Sequence, residues 1–229
     1  MHPKLIVALD FDDRKEALKL VDQLNPLQCA LKIGSELFTR FGTDLVRYCI
    51  DKQFKVFLDL KFHDIPNTVA KACTAGADLG VWMMNVHAAG GARMMEAASV
   101  ALSSYGKDKP LLIAVTVLTS FSEEELASVG VKTPIMEQVP HLARLAKESG
   151  LDGVVSSAHE VPLIKQSCGQ QFITVTPGIR LPSDAKNDQT RVMTPAEALK
   201  IGSDYLVVGR SITKAADPAQ IVDEIISIM

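Results

Sequence analysis

Short apolar runs alternate with amphipathic stretches along the whole chain. Eight runs have the length and residue types of strands: Leu5–Asp10, Cys29–Gly34, Lys55–Lys61, Val81–Ala88, Leu111–Leu118, Gly153–Ala158, Phe172–Gly178 and Tyr205–Arg210. Between them apolar residues recur at helical spacing. Ala17, Leu20, Val21 and Leu24 share one face, and Ile135, Val139, Leu142 and Ala146 share another. Start signals agree: Thr194-Pro195-Ala196-Glu197 has the form of a capping box with proline at the first helical position, and Asp217-Pro218 opens the last helix similarly. Gly76-Ala77-Asp78, Gly150-Leu151-Asp152 and Gly202-Ser203-Asp204 each fall between a helical pattern and an apolar run. At each, glycine is expected to end the helix in the left-handed conformation and turn the chain into the next strand. Three copies of one joint point to an iterated α/β unit. Eight units in 229 residues predict one (β/α)8 barrel domain over residues 1–229, with its active-site face at the C-terminal ends of the strands. A doubly wound open sheet is the other architecture the pattern allows. The first strand-to-helix turn, Asp10-Phe11-Asp12-Asp13, lacks the GxGxxG that a dinucleotide fold places there.

Composition narrows the function classes. Apolar residues make up 47% and charged residues 22%, a globular balance. The net charge of −3 gives no basic footprint for nucleic acid or for an anionic membrane surface. Apolar stretches such as Leu111–Val115 fall far short of the ~18 residues of a membrane span. The run Leu5–Leu9 is cut short by Asp10, so no secretory signal is expected and the protein is expected to be cytoplasmic. Its four cysteines, with no CxxC among them, are expected to be reduced core thiols.

The informative feature is where charges fall relative to strand ends. Asp10 ends the first run, Lys32 lies near the end of the second, and Asp59 and Lys61 close the third. Strand side chains alternate, so Phe57, Asp59 and Lys61 are expected on one face and Val56, Leu58 and Leu60 on the other. The wholly apolar face should pack on helices, which leaves Asp59 and Lys61 pointing into the barrel with Lys32. A buried structural ion-pair plug is the plain alternative, but burying several charges costs several kcal/mol each. Such convergence is more characteristic of a functional site. Lys61 has Asp59 two residues before it and Asp64 three after. Neighbouring carboxylates keep an ammonium protonated, so Lys61 is expected to donate a proton and not to form a Schiff base.

A second cluster marks the far side of the mouth. Thr176-Pro177-Gly178-Ile179-Arg180 ends the seventh run and Val208-Gly209-Arg210-Ser211 the eighth. Glycine lets backbone N–H groups approach an anion and arginine binds phosphate bidentately, so a phosphorylated ligand is expected. The polar stretch Leu181–Arg191 between them has the composition of a lid, with Gln189 its candidate contact. No HxH, HxxxH or HxD spacing occurs, and no metal site is expected.

The string Phe57-Leu58-Asp59-Leu60-Lys61-Phe62-His63-Asp64-Ile65-Pro66-Asn67-Thr68 resembles orotidine 5′-phosphate decarboxylase of the bacterial type. Its DxKxxD core is shared with sugar-phosphate relatives; the longer KFHDIPNT is far more specific. The likeness extends to Val7-Ala8-Leu9-Asp10, Leu31-Lys32-Ile33-Gly34, Asn85-Val86-His87-Ala88, Val117-Leu118-Thr119-Ser120, Thr176 to Arg180 and Val207-Val208-Gly209-Arg210. The resemblance implies a (β/α)8 barrel that converts orotidine 5′-monophosphate to UMP and CO2 without a cofactor, the last step of de novo pyrimidine nucleotide synthesis. It implies a catalytic array of Lys32, Asp59, Lys61 and Asp64. Asp10, Lys32, Asp59, Ile65, Thr68 and Thr119 would contact substrate, and Arg180, Gln189, Gly209 and Arg210 would hold its phosphate end. It also implies a homodimer in which Asp64 and Thr68 complete the partner's site. A magnesium-dependent sugar-phosphate decarboxylase sharing DxKxxD, and a nucleotide-binding barrel without turnover, remain the alternatives.

Overall fold

A computed structural model describes residues 3–181 and 193–229. Its strands are β1 (Leu5–Ala8), β2 (Cys29–Gly34), β3 (Val56–Phe62), β4 (Met83–His87), β5 (Leu111–Val115), β6 (Gly153–Val155), β7 (Ile173–Thr176) and β8 (Tyr205–Val208). Each pairs in parallel with the next, and β1 pairs with β8 through Leu5↔Leu206, Ile6↔Val207 and Val7↔Val208. The sheet is therefore a closed barrel of eight strands in chain order, not an open sheet. Every predicted strand is present, but most stop short of their predicted C-terminal ends. Asp10, Val117-Leu118, Pro177-Gly178 and Gly209-Arg210 lie beyond the ladder, while Leu9 N–H still donates to Lys32 O at 3.0 Å and Thr116 N–H to Val155 O at 3.3 Å. Leu9 and Val117, apolar residues past the last ladder pair, remain buried.

Helices α1 (Arg14–Gln23), α2 (Ser35–Asp51), α3 (Pro66–Asp78), α4 (Ala92–Leu102), α5 (Glu123–Ser128), α6 (Ile135–Glu148), α7 (Val161–Cys168), α8 (Pro195–Lys200), α9 (Arg210–Thr213) and α10 (Pro218–Ser227) surround the sheet. The caps follow the chemistry of their residues. Asp13 accepts from the Lys15 and Glu16 amides ahead of α1, Thr194 and Glu197 form the reciprocal box of α8, and Asp217 accepts from Gln220 N–H. Ile135, Val139, Leu142 and Ala146 of α6 are all buried, as their spacing requires.

Alternation along the strands creates two apolar layers. Leu5, Val7, Leu31, Ile33, Val56 and Leu58 pack outward against helices. Ile6, Ala8, Ala30, Phe57, Met83, Ile113, Val175 and Val207 fill the barrel, with Trp82 set edge-on against Tyr205 at 5.2 Å. Each fully buried aliphatic side chain contributes roughly 1.5–3 kcal/mol. The cysteines are free and buried, and burial pushes the Cys29, Cys49 and Cys73 thiols up to about 12. Among the described residues no helix is long and apolar enough to cross a membrane.

The repeated Gly-x-Asp joint holds at two of its three places. Gly150 and Gly202 have φ of 82° and 102°, and the aspartate that follows each one reaches back to the preceding strand. Asp152 accepts from Leu112 N–H at 2.8 Å and pairs with Lys109; Asp204 accepts from Thr174 N–H at 2.7 Å and pairs with Lys165 at 2.6 Å. These staples tie adjacent strands at their N-terminal ends. Gly76 instead lies inside α3, pressed so close to Met84 that a Cβ would come within 2.9 Å of its methyl, and the turn into β4 is made by Gly80 with φ 82°.

Candidate active site

A cavity of 560 Å³ opens at the C-terminal ends of the strands. Its lining includes Asp10, Lys32, Asp59, Lys61, Thr119, Arg180, Gly209 and Arg210 from the predicted set, over an apolar base of Ala8, Phe57, Val175 and Val207. A volume in this range, apolar below and polar above, suits a small-molecule ligand. Pro177 and Gly178 join the wall after β7, and Thr213 and Lys214, which the sequence did not single out, extend it beyond Arg210. The bridge between Ile179 and Met193, with Arg180 N–H donating to Met193 O at 3.1 Å, fixes the chain beside the arginine. Gln189 and the rest of the expected lid from Pro182 to Arg191 lie outside the described residues.

One side of the cavity carries charges of alternating sign. Lys32 Nζ lies 3.2 Å from Asp10 Oδ1 and 3.3 Å from Asp59 Oδ2, and Lys61 Nζ lies 2.8 Å from Asp59 Oδ1. Asp59 is buried, with its carboxylate shared between two ammonium groups. Burial pulls the Lys32 ammonium toward deprotonation, but the carboxylates of Asp59 and Asp10 outweigh that pull and hold its pKa above the ordinary lysine value. His87, at the end of β4, is half-buried beside His63, with ring centroids 5.5 Å apart. Burial lowers its pKa, the neighbouring His63 and Lys61 lower it further, and Asp59 raises it in part.

Simple alternation does not bring Lys61 to this place. The register of β3 on β4 shifts between Leu58, which faces Met84, and Phe62, which faces Val86. Asp59, Leu60 and Lys61 therefore oppose Asn85 alone, and Lys61 adopts φ of 53°. Such a bulge re-aims a side chain next to the cavity, at a cost of order 1–3 kcal/mol for a non-glycine residue held at positive φ. Lys61 N–H, displaced from the ladder, donates to Asn85 Oδ1 at 2.8 Å, and Asn85 Nδ2 donates to Asp59 Oδ1 at 2.7 Å. In the sequence Asn85 stands within the family-like string Asn85-Val86-His87-Ala88, with no role of its own assigned.

The segment after β3 stands apart. His63, Asp64, Ile65 and Thr68 are exposed, and Ile65 is 66% exposed despite its apolar side chain. Asp64 accepts from the neighbouring Ile65 N–H at 2.6 Å and, among the described residues, makes no ion pair with Lys61. The two carboxylates expected to flank Lys61 within one chain thus reduce to Asp59. No cluster of three or more metal-ligating side chains occurs among the described residues.

Comparison with known proteins covers nearly the whole chain. The family model described as orotidine 5′-phosphate decarboxylase / HUMPS family matches residues 3–225. An orotidine 5′-phosphate decarboxylase of Legionella pneumophila (strain Corby) is 65% identical over 226 residues, 99% of both chains. One from Shewanella sediminis is 62% identical over 93% of this chain and 92% of its own. The crystal structure of orotidine 5′-phosphate decarboxylase from Lactobacillus acidophilus superposes with a TM-score of 0.88 at 40% identity, covering 100% of this chain and 99% of that one.

Proposed function

The chain belongs to the orotidine 5′-phosphate decarboxylase / HUMPS family, and from that premise we propose that it converts orotidine 5′-monophosphate to UMP and CO2, closing pyrimidine nucleotide synthesis. The observation that carries this reading is the Asp10–Lys32–Asp59–Lys61 chain in the wall of a cavity that also contains Arg180 and Arg210. The phosphate sits against the arginines and Gly209, and Gln189 is its remaining expected contact. Asp10 and Lys32 take the ribose hydroxyls and Thr119 the pyrimidine edge.

The C6–carboxylate bond breaks heterolytically, leaving its electron pair on C6 as CO2 departs. The Lys61 ammonium, fixed by Asp59, stabilises that pair as it forms and then transfers a proton to C6. No group bound to the protein needs to accept electrons, so the step requires no cofactor. Asp59 disfavours the substrate carboxylate in the ground state while holding both lysines. Phosphate contacts remote from the reacting carbon contribute binding energy to closing the site.

In this reading a second copy of the chain supplies Asp64 and Thr68, which one chain leaves exposed after β3. The exposed Ile65 supports that segment as a contact surface. The reading takes residues 1–229 as one barrel domain of a cytoplasmic enzyme that binds neither nucleic acid nor membrane.

The test is the ultraviolet absorbance of orotidine 5′-monophosphate with EDTA-treated protein. Loss of the orotidine chromophore with formation of UMP is expected. Binding of UMP without turnover, or turnover only with added magnesium, overturns the reading. Mixing Lys61→Ala with Asp64→Ala subunits tests the shared site: each alone is expected to be inactive and the mixture to regain activity.

A further inference from the structure

We propose that Asn85 is a positioning residue for the reaction: it clamps the left-handed backbone of Lys61 and the Asp59 carboxylate into one fixed arrangement. The activity arm of this inference rests on the decarboxylase reading; its geometry does not. Asn85 is fully buried in β4 and lies behind the cavity wall, absent from the lining.

The argument starts from the bulge. A backbone N–H buried out of its ladder must find an acceptor, and Lys61 N–H finds Asn85 Oδ1 at 2.8 Å. A backbone N–H can only donate, so the oxygen of the Asn85 amide is the atom that faces it. That choice turns Nδ2 toward Asp59 Oδ1, where it donates at 2.7 Å. The same Asp59 oxygen accepts from Lys61 Nζ at 2.8 Å. A closed ring results: Lys61 backbone to Asn85, Asn85 to Asp59, and Asp59 to the tip of the Lys61 side chain. The lysine is held at both ends through one amide.

Few side chains could replace it. An apolar residue of this size would orphan Lys61 N–H, and a carboxylate would satisfy Lys61 N–H but face Asp59 with like charge. Asn85 contacts Asp59 and Lys61 from β3; Lys32 from β2 reaches the same Asp59 carboxylate and pairs in turn with Asp10, and His87, two residues on in β4, lies beside His63. β5 brings no ionisable side chain.

The test compares Asn85→Asp, Asn85→Ala and wild type by turnover, UMP affinity and exchange of the backbone amides, that of Lys61 among them, in uniformly 15N-labelled protein. Displacing the ammonium by about 1 Å is expected to lower kcat by about 10²-fold, with UMP affinity within about threefold of wild type. In Asn85→Asp, activity relative to wild type is expected to recover toward acid pH, because one proton shared by the two carboxylates removes the repulsion at Asp59. Asn85→Ala should show no such recovery. In the wild type, the Lys61 amide is expected to exchange as slowly as the amides of paired β3 residues.

Variants that keep wild-type kcat overturn the proposal. So does an Asn85→Asp profile parallel to that of wild type, which is what a merely structural asparagine predicts. A Lys61 amide in the wild type that exchanges as fast as that of exposed Asp64 overturns it without any variant having to fold. If the wild type fails to turn over orotidine 5′-monophosphate, the decarboxylase reading falls, and amide exchange still judges the clamp.

Discussion

At the N-terminal ends of the strands, Lys165 aims its three N–H bonds at three acceptors: Asp204 Oδ2 at 2.6 Å, Phe172 O at 2.9 Å and Gln170 O at 3.0 Å. At the opposite end Lys61 directs its ammonium at a single carboxylate oxygen among the described residues, that of Asp59, and borders a cavity. The Lys165 side chain is 5% exposed and that of Lys61 33%. Lys165 stands on an ordinary helical backbone; Lys61 stands on a bulge at positive φ. A saturated ammonium has nothing left to offer a ligand and serves the fold. An ammonium with open valences, held on strained backbone, destabilises the fold slightly and is available for chemistry. The residue types at the two ends are the same, so satisfaction and strain separate their roles, not charge.

The sharpest way to break this contrast is to remove each lysine in turn. Lys61→Ala is expected to lower decarboxylation by at least about 10⁴-fold, combining lost electrostatic stabilisation with a lost proton donor, while the thermal midpoint shifts little. Lys165→Ala should do the reverse. It removes the ammonium from Asp204, which keeps its bonds from Thr174, and from two carbonyls, so denaturant titration should show a loss of about 2 kcal/mol with kcat of the folded enzyme unchanged. Equal stability losses in the two variants would refute the contrast.

Arg210→Ala extends the comparison to the far wall of the mouth. Loss of a charge-assisted phosphate contact is expected to reduce kcat/KM by about 10–100-fold, read from initial rates. The smallest effect concerns pH. The pKa of His87 in the folded protein lies below its ordinary value of 6.5, so below that pH the unfolded chain binds more protons than the folded one. Stability should fall as pH drops from about 6.5 toward the lowered value. His87→Gln should flatten that segment of the denaturation profile, whereas Lys165→Ala should leave its slope unchanged.

Much of this was legible in the chain. The eight apolar runs and their spacing gave the barrel because strands and helices differ in period and each joint carries its own turn chemistry. Asp10, Lys32, Asp59 and Lys61 stood out because charge at a strand end has no packing purpose. The bulge at Asp59–Lys61 was invisible, since the string alternates as a regular strand would; its extra residues appear only against β4. Asn85 stood in the family-like string Asn85-Val86-His87-Ala88, but its clamp was not legible, because a neutral amide in an apolar run looks the same whether it is idle or clamped. Gly76 shared a tripeptide with two true joints, yet its value lies in having no side chain opposite Met84. Asp64 was counted beside Lys61 on sequence distance, but the turn after β3 directs it outward.

Closure of the barrel between β1 and β8 has a consequence for how the enzyme is made. A ribosome delivers Asp10, Lys32, Asp59 and Lys61 early, before even β4 has emerged. Until Tyr205–Val208 emerges, β1 carries an unpaired edge, the feature that invites association with other chains. The same strand that covers this edge brings Gly209, where a Cβ would lie 3.7 Å from Asp10 Oδ2, and Arg210 to the rim of the cavity. Protection from aggregation and completion of the ligand site therefore arrive in one event, late in synthesis. A product truncated before β8 therefore carries an open edge and an incomplete cavity at once.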